Sequence, residues 1–373
     1  MRSVFCSPTR YVQGRDATNN LGDEIHFLGL GKRVCIIHSK SAMRLLDDTW
    51  RASMKNAKIS FILCRFQGEC TRDEIARIKA VVEDHKSEVI VGSGGGKVLD
   101  TARAVASEMN LPVVNCPTVA SSDAPCSALS VVYTPEGEFE SYIFYKKNPD
   151  LVLVDTSVIA KAPVRLLVAG MGDALATAFE ARTVVRAGKK NQVGGATTIS
   201  AAALAELCFQ TLIADSAEAI QAVKKKAVTP ALERIVEANT LLSGLGFESG
   251  GLAVAHSVHN GLTRLPETHN FYHGEKVAFG LLVQLVLEGQ GLELISQIVE
   301  YCSDVGLPIT LGDLGIRNPD LDNIKKVAER TVAPGETAHN EPFEVTANMV
   351  ADAIMTADEI GKSWKVQLEE AKV

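Results

Sequence analysis

Residues 91–106 read VGSGGGKVLDTARAVA. An apolar run, EVIVGSGGG (88–96), ends in three consecutive glycines, and a helical pattern starts near Lys97. Strand, glycine turn and helix form the unit from which parallel sheets are wound. Three glycines exceed what a tight turn needs. Without Cβ atoms at Gly94, Gly95 and Gly96, a phosphate can approach the backbone closely. The helix beyond offers free N–H groups and the positive end of its dipole. The order matches neither GxGxxG nor the Walker GxxxxGK[ST] pattern. A pyrophosphate site is the preferred reading, and a plain strand-to-helix turn is the alternative. Asp100 falls in that helix's first turn, where a carboxylate complements the dipole.

The same alternation extends on both sides. RVCIIHS (33–39), ISFILCRF (59–66), LPVVNCPT (111–118) and LVLVDTSVIA (151–160) read as buried strands. AMRLLDDTWRASMKNA (42–57) and RDEIARIKAVVEDHK (72–86) read as helices between them. Continuous apolar strands spaced by helices predict a parallel sheet covered on both faces. ALSVVYTPEGEFESYIF (128–144) has two alternating runs around Pro-Glu-Gly and predicts a β-hairpin attached to that sheet. After Pro163 strand signals nearly vanish and Ala/Leu-rich helical pattern takes over, as in DALATAFEARTVVRAG (173–188). Residues 1–162 are therefore expected to form an α/β domain and residues 163–373 an all-helical one. Ligands of such sheets bind beyond the carboxyl ends of the strands, so the active site is expected in the interdomain cleft.

Composition narrows the function classes. The 373 residues carry a formal net charge of −7, which argues against a nucleic-acid partner. No apolar run reaches the ~20 residues of a membrane span, and MRSVFCSPTRYVQG at the start lacks the apolar stretch of a secretory signal. The eight cysteines include no CxxC pair, so a zinc ribbon is not expected. Cys35, Cys64 and Cys116 fall in buried-strand runs, and a reducing cytoplasm is the simplest setting.

Four of the eight histidines crowd into HSVHNGLTRLPETHNFYHGEKVAFG (256–280): His256, His259, His269 and His273. His256 and His259 share a helix face, and His273 precedes an apolar helix. Two imidazoles from separate segments plus a carboxylate make a three-ligand metal site with one open position. Asp173 is the candidate carboxylate. It follows a glycine turn and opens a helix, so alone it suits an N-cap better than a ligand. The histidines read equally as metal ligands or as surface and satisfied core positions. Such a donor set suits zinc or iron.

Five ordered blocks carry a resemblance: GSGGGK, TVASSDAPCSALSVVY, GMGDALATAFEAR, AHSVHNGLT and HGEKVAFG. Together they resemble the glycerol dehydrogenases, which sit among the metal-dependent polyol and iron-containing alcohol dehydrogenases. That resemblance implies a Rossmann-like dinucleotide-binding domain followed by a helical metal-binding domain. It implies zinc on Asp173, His256 and His273, with His259 outside the ligand set, His269 exposed, and Asp123 touching the substrate hydroxyls. Gly96, Lys97, Asp100, Thr118, Ser121, Ser127, Leu129 and Tyr133 match cofactor contacts, beside Gly95 of the glycine turn. Similar enzymes place an acid on the adenosine ribose, where this chain has Ser39 next to Lys40. NAD is the implied cofactor, and the neutral serine leaves NADP open. The implied reaction is oxidation of glycerol or a related vicinal diol to dihydroxyacetone by a cytoplasmic homo-oligomer. The alternatives are a phosphorylated polyol or other alcohol, or an inactive nucleotide-binding protein. Dehydroquinate synthase, of the same superfamily, has glutamate where Asp173 stands.

Overall fold

The computed structural model describes residues 1–135 and 139–371. Among the described residues there are eight strands: β1 (Tyr11–Gly14), β2 (Arg33–His38), β3 (Ser60–Arg65), β4 (Val89–Gly94), β5 (Val113–Pro117), β6 (Leu129–Tyr133), β7 (Phe139–Phe144) and β8 (Leu151–Asp155). Six form one parallel sheet in the order β1-β8-β5-β4-β2-β3.

Alternation along each strand explains why these runs are apolar throughout. Val34 and Ile36 of β2 join Leu21, Trp50 and Met54 on one face, while Cys35 and Ile37 join Ile78, Val98 and Val105 on the other. With helices on both faces, both alternating sets are core along β2 from Val34 to Ile37 and throughout β4, β5 and β8. Each such side chain contributes about 1.5–3 kcal/mol by leaving water. The helices start where local chemistry dictates. Ser39 Oγ accepts the Ala42 N–H at 3.0 Å ahead of helix Lys40–Asn56, and Thr71 Oγ1 accepts the Glu74 N–H at 3.1 Å ahead of helix Arg72–His85. The winding reverses between β2 and β4, because β3 lies on one side of β2 and β4, β5 and β8 on the other. That switch point is where a sheet of this kind takes its ligand.

Three features differ from expectation. β1 is four residues long, too short to show a period, yet it pairs with β8 at the sheet edge, Tyr11 opposite Val152. The run 151–160 stops being strand at Asp155, whose carboxylate accepts the Ser157 N–H at 3.0 Å and starts a short helix. The hairpin forms, Leu129 opposite Phe144, but as a separate two-stranded sheet rather than an extension of the main one. It leans on helix Gly96–Met109, where Ser130 Oγ donates to the Asp100 carbonyl at 2.8 Å; its Glu136–Gly137 turn lies outside the described residues. In keeping with the absence of an uninterrupted apolar run of ~20 residues, helix Ile199–Lys224, which has the length and mean composition of a span, is broken by Glu206, Asp215 and Glu218.

The chain divides into an α/β unit, Cys6–Val164 with Gln221–Gly244, and a helical unit, Met1–Phe5, Arg165–Ile220 and Leu245 onward. Two segments thus cross the single cut expected after residue 162. Ser3 bridges Ala196, and Asn191 Nδ2 donates to the Val4 carbonyl at 3.0 Å. In the α/β unit, Asn239 Nδ2 reaches the Ala120 carbonyl at 3.0 Å and Thr156 donates to Glu233 at 2.7 Å. These ties are polar; the returning segment also buries Ala231, Leu232, Ile235 and Val236 of helix Pro230–Glu237, a period that marks a helix but not the unit it joins.

Candidate functional site

Asp173 lies inside helix Val164–Ala187, not at its start, so the N-cap reading fails. The glycines before it serve a helix crossing instead. A Cβ on Gly172 would overlap the Gly274 carbonyl, and one on Gly274 would overlap the Ala169 carbonyl. The two helices therefore touch backbone to backbone. Asp173 follows one glycine of that contact and His273, first residue of helix His273–Leu287, precedes the other. A Cβ on Gly280 would likewise overlap the Ala255 carbonyl, next to His256 in helix Val254–Leu262.

These crossings bring three side chains together. Asp173 Oδ1 stands 3.1 Å from His273 Nε2 and 3.4 Å from His256 Nε2. Two ligands bonded to one tetrahedral ion at about 2.0–2.1 Å stand about 3.3 Å apart, so the spacing fits a metal. The remaining ring nitrogens are turned away. His256 Nδ1 meets Glu180 Oε2 at 2.6 Å, and His273 Nδ1 meets His259 Nε2 at 3.0 Å. Among the described residues, no other group of three His, Cys, Asp or Glu converges in this way. Asp173 is fully buried, whereas the His273 side chain is 39% exposed. His269 is exposed, its Nε2 3.0 Å from the Thr263 carbonyl.

The electrostatics follow from these contacts. Burial opposes the charge on Asp173, but the His273 and His256 imidazoles outweigh it and hold the carboxyl well below the usual range. Burial likewise works against charge on His256, yet Glu180 and Asp173 raise its pKa. His259 is pushed down by burial and by the neighbouring His273. Burial lowers Lys276 to about 8; its ammonium donates to the Phe271 carbonyl at 2.9 Å.

Farther along the same unit, burial and then Glu288 push the Glu341 carboxyl up to about 8, against Arg186, whose Nη2 is 3.9 Å away, and with Glu180 adding to the rise. A raised acid stabilises the fold where the native state keeps a proton that the unfolded chain has lost. That contribution is complete below the unfolded value of 4.5 and is lost as pH rises toward about 8. Urea unfolding across this window should therefore show declining stability. Glu341→Gln should flatten the decline by about 1 kcal/mol or more, the equivalent of roughly one pKa unit.

The α/β unit holds the other candidates. Ser39, the Gly95–Gly96 pair and Thr118 follow the carboxyl ends of the adjacent strands β2, β4 and β5. The three glycines separate in role. A Cβ on Gly94 would lie 2.6 Å from Val98 Cγ2, so that glycine serves strand–helix packing. At Gly95 the nearest atom would be Val119 Cγ2 at 3.7 Å, and at Gly96 nothing lies within 4 Å. Packing does not demand these two, which leaves the N-terminus of helix Gly96–Met109 approachable. Lys97 pairs with Glu69 and lies 5.4 Å from the Tyr133 ring centre. Asp100 is buried against Arg103; burial raises its pKa and Arg103 opposes this. Thr118 N–H donates to the Gly94 carbonyl at 3.0 Å. Ser127 Oγ donates to the Ala124 carbonyl at 3.1 Å, Ser121 is half-buried, and Leu129 and Tyr133 bound β6. Asp123 is buried and accepts from Ser243 Oγ at 2.9 Å. Ser243 and Glu180 went unnoticed in the sequence.

The pattern of the iron-containing alcohol dehydrogenases matches residues 8–156. A glycolaldehyde reductase of Halobacterium salinarum is 49% identical over 97% of this chain and 99% of its own. A glycerol dehydrogenase of Citrobacter freundii is 50% identical over 98% of this chain and 99% of its own. The crystal structure of glycerol dehydrogenase from Schizosaccharomyces pombe superposes with a TM-score of 0.93 at 38% identity, covering 98% of this chain and 93% of that one. Similarity of this depth, running end to end through both units, makes the chain a member of the iron-containing alcohol dehydrogenase family and an oxidoreductase.

Proposed function

We propose that the chain oxidises glycerol or a close vicinal diol, with zinc on Asp173, His256 and His273 and NAD as the hydride acceptor. The observation that carries this reading is the convergence of one buried carboxylate and two imidazoles at metal-ligand spacing, in a chain half identical to glycerol dehydrogenases. When bound, the metal supplies a Lewis acid that acidifies an alcohol oxygen.

The chain's own residues do the rest. Asp173 brings a charge that stays ionised, because two imidazoles face it. Asp123 would accept a hydrogen bond from a second hydroxyl and so select diols; Ser243 holds its Oδ2. The backbone at Gly95 and Gly96 would take the pyrophosphate at the helix N-terminus. Ser39 lacks the acid that repels a 2′-phosphate, so discrimination against NADP should be weak. The proposed setting is a homo-oligomer in the cytoplasm, as the family suggests.

The Halobacterium relative supports a second reading, reduction of a small hydroxyaldehyde. It is the same chemistry run backward. Reduced-cofactor absorbance should be followed with glycerol, propanediol and ethanol, and in reverse with dihydroxyacetone and glycolaldehyde. Diol turnover should vanish on chelation and return with zinc. Turnover indifferent to chelation, or confined to monoalcohols, overturns the proposal.

A further inference from the structure

We propose that Glu180 is a positioning residue of the metal site, fixing which nitrogen of His256 is offered to the metal. The inference rests on the metal reading above and adds to it a residue outside the ligand set.

Glu180 lies seven residues after Asp173 in helix Val164–Ala187. That interval is about two turns, so both acids share a face. His256 sits between them, Nε2 toward Asp173 Oδ1 at 3.4 Å and Nδ1 on Glu180 Oε2 at 2.6 Å. A carboxylate can only accept in this contact, so Nδ1 carries a proton, and in the neutral ring that a metal requires the lone pair then lies on Nε2. The other oxygen is engaged too. Glu180 Oε1 accepts the N–H groups of Ala253 at 2.8 Å and His256 at 3.1 Å. Those donors belong to the start of helix Val254–Leu262, whose Ala253 N-cap has no side-chain cap of its own. One buried carboxylate thus anchors the helix and orients the ring it carries.

A role limited to capping would use Oε1 alone. The second, shorter contact points to the ring. His273 provides the contrast: its Nδ1 rests on an imidazole, His259, rather than on a carboxylate. Partners of this kind fix the tautomer and raise the ligand's basicity, typically affecting metal affinity by about 10–100-fold.

The test uses the full-length protein stripped of metal and its Glu180→Gln variant. Glutamine's carbonyl can still accept the backbone N–H groups, but its amide cannot accept from Nδ1–H. Zinc affinity, measured by competition with a chromogenic chelator, should fall by about 10–100-fold. The visible spectrum of the cobalt(II)-loaded variant should change in intensity and position, while its melting temperature stays close to the parent's. Histidine-selective nitrogen NMR of the zinc-loaded parent should show His256 protonated on Nδ1. That second measurement holds even if the variant fails to fold. Parental zinc affinity with an unchanged cobalt spectrum, or an Nε2-protonated His256, overturns the proposal alone. A parent that binds no zinc overturns the metal reading, and this proposal with it.

Discussion

Asp173→Asn is expected to abolish metal retention and lower kcat/KM by about 10³-fold or more, the equivalent of roughly 4 kcal/mol of lost Lewis-acid stabilisation. The change is nearly isosteric, so the helix crossing at Gly172 and Gly274 should survive. What disappears is the negative charge. An amide oxygen is a weak ligand for a divalent ion, and two neutral imidazoles alone leave the donor set incomplete. Asp173 is fully buried, so water cannot readily replace it from its own side. Metal content after dialysis and kcat/KM on glycerol are the two readouts. They should fall together, whereas far-ultraviolet circular dichroism should not change. His273→Ala should behave alike with less risk to folding, because its side chain is 39% exposed. A metal-free Asp173→Asn protein turning over glycerol within about tenfold of the parent would remove the metal from the proposed chemistry.

The parts of this molecule that were legible depend on local rules. β2 through β5 show as apolar runs because both sheet faces are covered, and Ser39 and Thr71 mark helix starts with hydroxyl caps. β1 is held by one edge pairing too short to show a period, and the return of Gln221–Gly244 to the α/β unit by polar ties such as Asn239 to Ala120 and by the apolar face of helix Pro230–Glu237. That face has a helical period, but a period does not say which unit it packs in. The local pattern around Asp173 points to a cap rather than to a ligand. GMGD looks like a turn and a cap, since glycine usually breaks helices, but here the missing Cβ atoms let two helices touch. Glu180 was hidden because one acid in an Ala-rich helix reads as a solvated position. Its spacing from Asp173 was visible, but nothing local showed that both faced inward. The glycine triplet reads as one feature in the sequence, whereas Gly94 packs against Val98 and only Gly95 and Gly96 have room for a Cβ.

Gly274→Ala should be among the most damaging single methyls in the helical unit. Intrinsic propensity favours alanine over glycine in a helix by about 1 kcal/mol, so a local view predicts stabilisation. Geometry reverses the sign. The new Cβ would overlap the Ala169 carbonyl and come 2.7 Å from the Asp173 backbone nitrogen. Both are backbone atoms of a buried helix, and no rotamer change relieves them. The helices must separate, at a cost of about 3 kcal/mol or more. Separation carries His273 away from Asp173, because each ligand is adjacent to the contact. Loss of stability and loss of metal should therefore appear in the same variant. Gly291→Ala is the control: Gly291 has φ −63°, and its added Cβ would meet nothing within 4 Å. That variant should stay within about 1 kcal/mol of the parent and keep its metal. Melting temperature and zinc content across the two variants decide the matter. A destabilised Gly274→Ala that still holds zinc normally would mean that the crossing builds the fold without setting the distance between the ligands.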